Sequence, residues 1–302
     1  MFYSCHLPKT GGTSLLHSFL THYGEDKLFS VGHQATTPTN LAFVDFCLRP
    51  DPEQFSLSDF IFVSGHWNTT KLLRFWQASP EHLHTFLVIR DPVSLFWSSF
   101  YQTTIEGRKP LTPEAFLARR SPIHSLRFYS GAYRDLIGGE VKDSPEKFFG
   151  CIKYMIHLSN LTEGVSHVHP ELESYLSQPR RVRSQITSDY QNPLQNDADF
   201  NQEVSRHLEP DIAFYQSCLG QISEDKYHCR SFNPDLLADQ LGTLKTRLSA
   251  EEARTPFVNL LRTKLASVDM DNPKYSKWST KWNETLAPYG EDLQHVIQQP
   301  EA

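Results

Sequence analysis

The chain has 302 residues, of which 39% are hydrophobic and 12% aromatic, and it carries a formal net charge of −6. This composition supports a folded core and excludes a largely disordered chain. No run of about 18 apolar residues occurs, so no integral membrane segment is predicted. The acidic balance argues against nucleic acid as a partner.

The chain opens with an apolar run over residues 1–7, a tight glycine loop, and then apolar residues at helical spacing from Leu15. This order predicts a strand, a loop and a helix. Later runs at 27–31, 60–63 and 85–89 are short, and the last two are apolar throughout, which is typical of strands buried on both faces of a parallel sheet. Helices are predicted from Val93 onward and over 113–120, 124–136, 145–158, 200–222, 234–248 and 250–266.

The predicted fold class is therefore α/β, with a P-loop-like central parallel sheet flanked by helices and a mostly helical C-terminal half. We expect one α/β domain over residues 1–230. A helical extension over residues 231–302 is predicted to pack on the same domain.

The loop after the first strand reads KTGGTS over residues 9–14. A helix N-terminus, glycines that permit close backbone approach, a lysine and three hydroxyls together favour binding of a phosphate or sulfate ester. In the nucleotide P-loop the lysine follows the second glycine, whereas Lys9 precedes both, so an ordinary ATPase or GTPase is not predicted. The candidate anion-binding residues are Lys9, Thr10, Gly11, Gly12, Thr13 and Ser14.

Polar clusters also follow two other predicted strands. Gly65-His66 follows the run at 60–63 after Ser64, and Arg90-Asp91 follows the run at 85–89. Because the carboxyl ends of parallel strands meet at one edge, we expect these residues and the loop at 9–14 to form one site.

Taken together, these segments resemble the donor-binding elements of sulfotransferases that use 3′-phosphoadenosine 5′-phosphosulfate, and in particular the heparan sulfate 2-O-sulfotransferase-like branch. HLPKTGGTS at 6–14 is similar to the 5′-phosphosulfate loop of the family, and LVIRDPVSLFWSSFY at 87–101 is similar to its 3′-phosphate element. VSGHW at 63–67 is similar to the Gly-His element of that branch. The resemblance covers about residues 1–105 and returns at 211–215, where DIAFY is similar to a closing D-x-x-x-Y helix.

The resemblance implies a role for each matching residue. Residues 10–14 would hold the 5′-phosphate, and Lys9 would contact the oxygen that bridges phosphorus and sulfur. Arg90 and Ser98 would hold the 3′-phosphate, and His66 would take the proton from the attacking hydroxyl. No metal ion is implied, and the acceptor would be a hydroxyl on a glycan or other small molecule.

Several alternatives stay open. His33, in a second Gly-His pair, is the runner-up base, and SQIT at 184–187 is a candidate adenine and 3′-phosphate loop. The late strand of the family, followed by a Thr-Glu or similar signature, is not assigned to a segment between 150 and 210. A nucleotide-dependent phosphoryl transferase and a non-catalytic module that binds the bisphosphate are the competing functions.

The cysteines and the N-terminus bear on the compartment. Five scattered cysteines without a C-x-x-C pair predict neither a cysteine zinc site nor a redox motif. Residues 1–15 do not read as a signal peptide. We expect a cytoplasmic protein if the chain is complete, and a Golgi lumenal one if it is a trimmed domain. The sequence does not determine the oligomeric state.

Overall fold

The computed structural model of the protein describes residues 1–5, 7–31, 41–65, 69–106, 111–172 and 192–267. Five strands form one parallel sheet in the order β2-β3-β1-β4-β5. Their bounds are β1 Phe2–Cys5, β2 Leu28–Val31, β3 Phe62–Gly65, β4 His84–Ile89 and β5 Tyr154–His157.

Helices surround this sheet and make up most of the described chain. The first six are α1 Gly12–Tyr23, α2 Leu41–Leu48, α3 Pro92–Tyr101, α4 Pro113–Arg119, α5 His124–Ile137 and α6 Pro145–Gly150. The next five are α7 Leu161–Val168, α8 Ala198–His207, α9 Glu209–Gln221, α10 Pro234–Arg247 and α11 Ala250–Ser267. A 3-10 helix over Thr69–Phe75 follows β3.

The two faces of the sheet are covered by different helices, because successive strand residues point to opposite faces. Tyr3 and Leu87 point into a core shared with α2, α5, α10 and α11. Phe2 and Phe86 point into a second core shared with α1 and α7. A third cluster, built from α3, α4 and α8, lies beside these two. Both faces are thus buried, which explains why the strands are mostly apolar and why their few polar residues, such as Ser4 and Ser64, are buried as well.

The structure confirms the predicted α/β class and the parallel sheet flanked by helices. The predicted helix over 145–158 is wrong in its second half, since the chain leaves α6 at Gly150 and forms β5. The predicted helix over 200–222 is two helices, α8 and α9, which meet at Leu208 just before Pro210. Proline lacks an N–H and fits the first turn of a helix, so it starts α9 rather than continuing α8.

The C-terminal helices are part of the main core. α10 and α11 contribute Leu241, Phe257 and Leu261 to the same cluster as Tyr3. The division at residue 230 stays a prediction, and residues 268–302 lie outside the described part. Among the described helices, none has both the length and the apolar character needed to cross a bilayer. All five cysteines are described and buried, and none of them forms a disulfide.

One close contact fixes α7 on the sheet. A Cβ added at Gly164 would lie 2.3 Å from Cδ1 of Ile156 in β5, closer than real atoms approach. Gly242 in α10 has no atom within 4 Å of the same position. Both glycines lie within helices, so they can be compared directly. Only at Gly164 does the packing exclude a side chain.

We expect Gly164→Ala to destabilise the protein by about 1–3 kcal/mol, because the methyl group forces Ile156 or the helix to move. Gly242→Ala is expected to stabilise it by about 0.5–1 kcal/mol through helix propensity. Urea unfolding of the two variants measures both effects. Equal effects of the two substitutions would contradict the described packing of α7 on β5.

Candidate functional site

The candidate site lies at the carboxyl edge of the sheet. Since all five strands are parallel, the segments that follow them emerge at this one edge. The strand ends are aligned in register, with Cys5 beside Gly65 and Ile89 beside His157. Among the described residues, the loop with Lys9 follows β1, Arg90 follows β4, and His157 is the last residue of β5.

The loop between β1 and α1 has an unusual backbone. Lys9 has a φ of 74° and Gly11 a φ of 84°, both in the left-handed region. Only Lys9 and Lys226 adopt a positive φ among the described residues that are not glycine. Such a conformation is strained for a lysine and persists only where surrounding contacts enforce it.

Those contacts are visible around the loop. The hydroxyl of Thr10 is fully buried and donates to the carbonyl of Leu7 at 2.7 Å. A Cβ added at Gly11 would lie 2.7 Å from Cδ2 of Leu161 and 3.0 Å from Cδ1 of Leu158. Thr10 therefore shapes the loop with its single O–H, a role that differs from the phosphate contact implied by the resemblance. Gly11 allows the loop to lie directly against the segment after β5.

The N-terminus of α1 is open at its first turn. Gly11 precedes the helix, and no side chain caps it there. The N–H of Ser14 donates to the carbonyl of Gly11 at 3.0 Å, and so it is used within the turn. The amides of Gly12 and Thr13 come before it, where the positive end of the helix dipole favours an anion.

Three serines fill one row of the sheet beneath this helix. Ser4, Ser30 and Ser64 are paired in register across β1, β2 and β3, and all three are buried. By alternation they lie on the face that carries α1. Serine is small, so this row leaves space for the first turn of α1 to approach the sheet.

Arg90 joins the loop after β4 to the loop after β1. Its Nη1 donates to the carbonyl oxygen of Lys9 at 2.9 Å. Burial lowers the pKa of the Arg90 guanidinium, and the carboxylate of Asp91 partly offsets that shift. The guanidinium has further N–H groups besides the one bonded to Lys9, so it can hold the loop and still bind an anion.

Asp91 and Ser98 lie on the same side of α3. The Asp91 carboxylate accepts the N–H of Ser94 at 2.8 Å and so caps the helix. Ser98 follows seven residues later, which is two helical turns, and its side chain is half-buried. The structure thus places Arg90 at the strand end and Ser98 along the helix that begins there.

His157 is a residue of this edge that sequence reasoning missed. It is the last residue of β5, and its Nδ1 lies 2.6 Å from the hydroxyl oxygen of Ser159. Its ring centroid is 6.1 Å from that of Tyr215. The predicted helix over 145–158 includes His157 and the three apolar or aromatic residues before it, although the β-branched Ile156 favours a strand. Thr162 and Glu163 follow β5 closely, at the start of α7.

The D-x-x-x-Y segment forms the first half of α9. Asp211 is 1% exposed, and its two oxygens accept the N–H of Ser125 at 2.9 and 3.0 Å. One of them also accepts the N–H of Leu126 at 3.0 Å. Asp211 therefore caps α5 from another helix. Tyr215 follows one turn later in α9. Burial raises its pKa, and so does the nearby charge of Asp91, which lies just after β4.

An open groove of about 760 Å³ runs along the outer side of α5. Its charged lining residues are Lys71, Arg127, Arg134, Asp135, Glu140 and Lys142. Asp135 is 3.7 Å from Lys71, and Glu140 pairs with Arg134 and Lys142. The charges are mixed, with an excess of cations.

Several predicted site residues lie outside the described part of the chain. They are His66, the runner-up base His33 and the candidate loop at 184–187. For Thr13 only the backbone is described. The structure brings together the loop at 9–14 and Arg90.

Comparisons with known proteins add nothing to this geometry. No family model, no curated protein and no solved structure gives a significant match to the chain. The residues of the carboxyl edge are therefore the basis for inferring a function.

We expect Asp211→Ala to destabilise the protein by about 2–4 kcal/mol, because it leaves two amide groups of α5 without a partner and removes the charge beside Arg120. Asp211→Asn should cost less, since its carbonyl oxygen still accepts one amide. Glu209→Ala is the matched control, since Glu209 is an exposed acid in the same turn of α9 and its loss should change stability by less than about 0.5 kcal/mol. Denaturant unfolding with equal losses for Asp211→Ala and Glu209→Ala would contradict the capping role.

Proposed function

We propose that the protein is a sulfotransferase that moves a sulfuryl group from 3′-phosphoadenosine 5′-phosphosulfate to a hydroxyl, and that the acceptor is a saccharide. The observation that carries this proposal is the left-handed Lys9, held in front of the open N-terminus of α1 and bonded through its carbonyl to Arg90. Strained backbone concentrates at functional sites, where it fixes a side chain in a set position. The sheet would thus act as a P-loop-like scaffold.

The donor fits the charges of this edge. The amides of Gly12 and Thr13 suit a 5′-phosphate at the positive end of the helix dipole. Arg90 suits the 3′-phosphate, because a guanidinium binds phosphate with paired N–H groups. Ser98 would add a hydroxyl contact from α3.

Transfer would proceed by in-line displacement. The acceptor oxygen attacks sulfur, the bond from sulfur to the bridging phosphate oxygen breaks, and adenosine 3′,5′-bisphosphate leaves with the electron pair. Lys9 would stabilise the charge that grows on the leaving oxygen. His66 would take the proton of the acceptor hydroxyl, as the resemblance implies. Lys9 and Arg90 offset the negative charge of the donor, so the proposed mechanism needs no metal ion.

The groove along α5 supports a saccharide acceptor. The helix that carries it reaches the carboxyl edge on its inner side, where the hydroxyl of the buried Tyr129 donates to the carbonyl of Val88 near the end of β4 at 3.2 Å. Its paired cations and carboxylates suit the hydroxyls of a neutral or weakly acidic sugar. Lys71, which lines it, follows His66 by five residues.

The direct test is formation of adenosine 3′,5′-bisphosphate from the sulfate donor, with a panel of neutral, weakly acidic and polysulfated saccharides. The proposal expects turnover that depends on both donor and acceptor and is highest with the neutral or weakly acidic sugars. Turnover of ATP with Mg²⁺, and none of the sulfate donor, would instead indicate a phosphoryl transferase. Tight binding of the bisphosphate without turnover on any acceptor would indicate a binding module.

For Lys9→Ala we expect kcat to fall about 100- to 1000-fold with a small change in the KM for the donor, since the lost contact acts on the leaving group. Lys226→Ala is the matched control, because Lys226 also has a left-handed backbone but lies beside Tyr227, whose carbonyl accepts the N–H of Met155 near the amino end of β5. Steady-state assays of both variants distinguish the effect of losing the Lys9 charge at the site from the effect of placing alanine in a left-handed backbone. Equal activity of Lys9→Ala and Lys226→Ala would contradict the role of Lys9.

For His66→Ala we expect kcat to fall about 100- to 10,000-fold, as is typical for loss of a general base. His157→Ala is the comparison, because His157 is the described imidazole at the same edge. Binding of the bisphosphate product, measured by calorimetry, should be unchanged in His66→Ala. A large loss of kcat in His157→Ala alone would transfer the role of base to His157.

A further inference from the structure

A second cluster of ligating side chains lies away from the carboxyl edge. It consists of His167 in α7 and of Asp225 and His228 in the turn that follows α9. The backbone of His228 pairs with Tyr154, the first residue of β5, so the cluster lies near the amino end of that strand. The proposed sulfuryl transfer uses none of these three residues.

The three ligand atoms are close enough for one ion. One ligand atom from each of His167, Asp225 and His228 lies within 4.8 Å of the other two. Metal–nitrogen and metal–oxygen bonds of about 2.0–2.2 Å bring tetrahedral ligands to roughly 3.4 Å from one another. Nδ1 of His228 already contacts a carboxylate oxygen of Asp225. Small side-chain rotations would therefore complete the site.

Backbone contacts fix Asp225 and His228. One Asp225 oxygen accepts the N–H of Tyr227 at 2.9 Å and that of His228 at 3.0 Å. Ile222 and Cys229 form an antiparallel bridge that closes the turn. The two ligands are thus held next to each other on one short, closed segment.

His167 approaches from a helix that is itself fixed. Its ring centroid is 4.9 Å from that of Tyr227 and 5.8 Å from that of His228. Gly164, three residues earlier, packs against Ile156 of β5. The side chains of His167 and Asp225 are exposed, and that of His228 is partly exposed, so an ion could enter from solvent.

We propose that His167, Asp225 and His228 bind a divalent transition-metal ion such as Zn²⁺. Two imidazoles and one carboxylate suit zinc and its neighbours, whereas calcium and magnesium prefer oxygen ligands throughout. Water would fill the remaining coordination position. The cysteines take no part, which is why counting cysteine motifs does not find this site.

The ion would join α7 to the turn at 222–229. Leu161, at the other end of α7, packs so closely against Gly11 that a Cβ there would lie 2.7 Å from its Cδ2. Six residues of helix separate Leu161 from His167, a rise of about 9 Å. The bound ion therefore stabilises the helix that supports the loop of the carboxyl edge. It needs no role in the chemistry there.

The test is calorimetric titration of the metal-free, untagged full-length chain with Zn²⁺, together with thermal unfolding. We expect saturable binding of one ion at this site with a micromolar Kd, and a Tm that rises by several degrees in excess Zn²⁺. His167→Ala and His228→Ala should each weaken this binding at least about 10-fold and abolish the rise in Tm. His22→Ala is the matched control, because His22 is an exposed histidine on α1, and it should bind Zn²⁺ like the wild type.

Co²⁺ provides a second readout, since its visible absorption reports nitrogen and oxygen ligation. The spectrum should be present in the wild type and in His22→Ala and absent in the double variant His167→Ala/His228→Ala. Asp225→Asn keeps an oxygen for the two amides of the turn, so it tests the carboxylate without opening the turn. Unchanged Zn²⁺ binding in the double variant, or equal losses in His22→Ala and His167→Ala, would overturn the proposal.

Discussion

The bond from Arg90 to the carbonyl of Lys9 is the contact on which the carboxyl edge depends. It ties the loop after β1 to the loop after the neighbouring strand β4. It also places a partly buried guanidinium beside the open N-terminus of α1. A parallel sheet brings its loops to one edge in any case, but this bond fixes how two of them lie against each other.

The rest of the edge is built around that pair of loops. Gly11 lets the first loop lie against Leu158 and Leu161, and the buried serines beneath α1 leave space for its first turn. Asp211 caps α5 and, one turn later, Tyr215 lies near Asp91. The left-handed backbone of Lys9 is then a consequence of contacts on several sides. We propose that this arrangement binds a donor with a phosphate at each end.

Much of this arrangement follows from the sequence, because strands buried on both faces and a glycine loop before a helix are strong local signals. The loop at 9–14 and the position of Arg90 at a strand end could be predicted in this way. β5 could not, since Gly150 is a weak stop signal within a mostly apolar run and the pairing of β5 with β4 is a long-range contact. The capping role of Asp211 likewise depends on Ser125, which is 86 residues away in sequence, and the buried role of Thr10 depends on how the turn after Leu7 folds.

The most direct measurement is calorimetric binding of adenosine 3′,5′-bisphosphate to the wild-type chain, beside adenosine 5′-monophosphate and ATP with Mg²⁺. The account predicts one binding site that prefers the bisphosphate over the monophosphate at least about 10-fold, because Arg90 contributes through the 3′-phosphate. Arg90→Ala should remove that preference. Tighter binding of ATP with Mg²⁺, or equal affinity for the bisphosphate and the monophosphate, would contradict the proposed donor site.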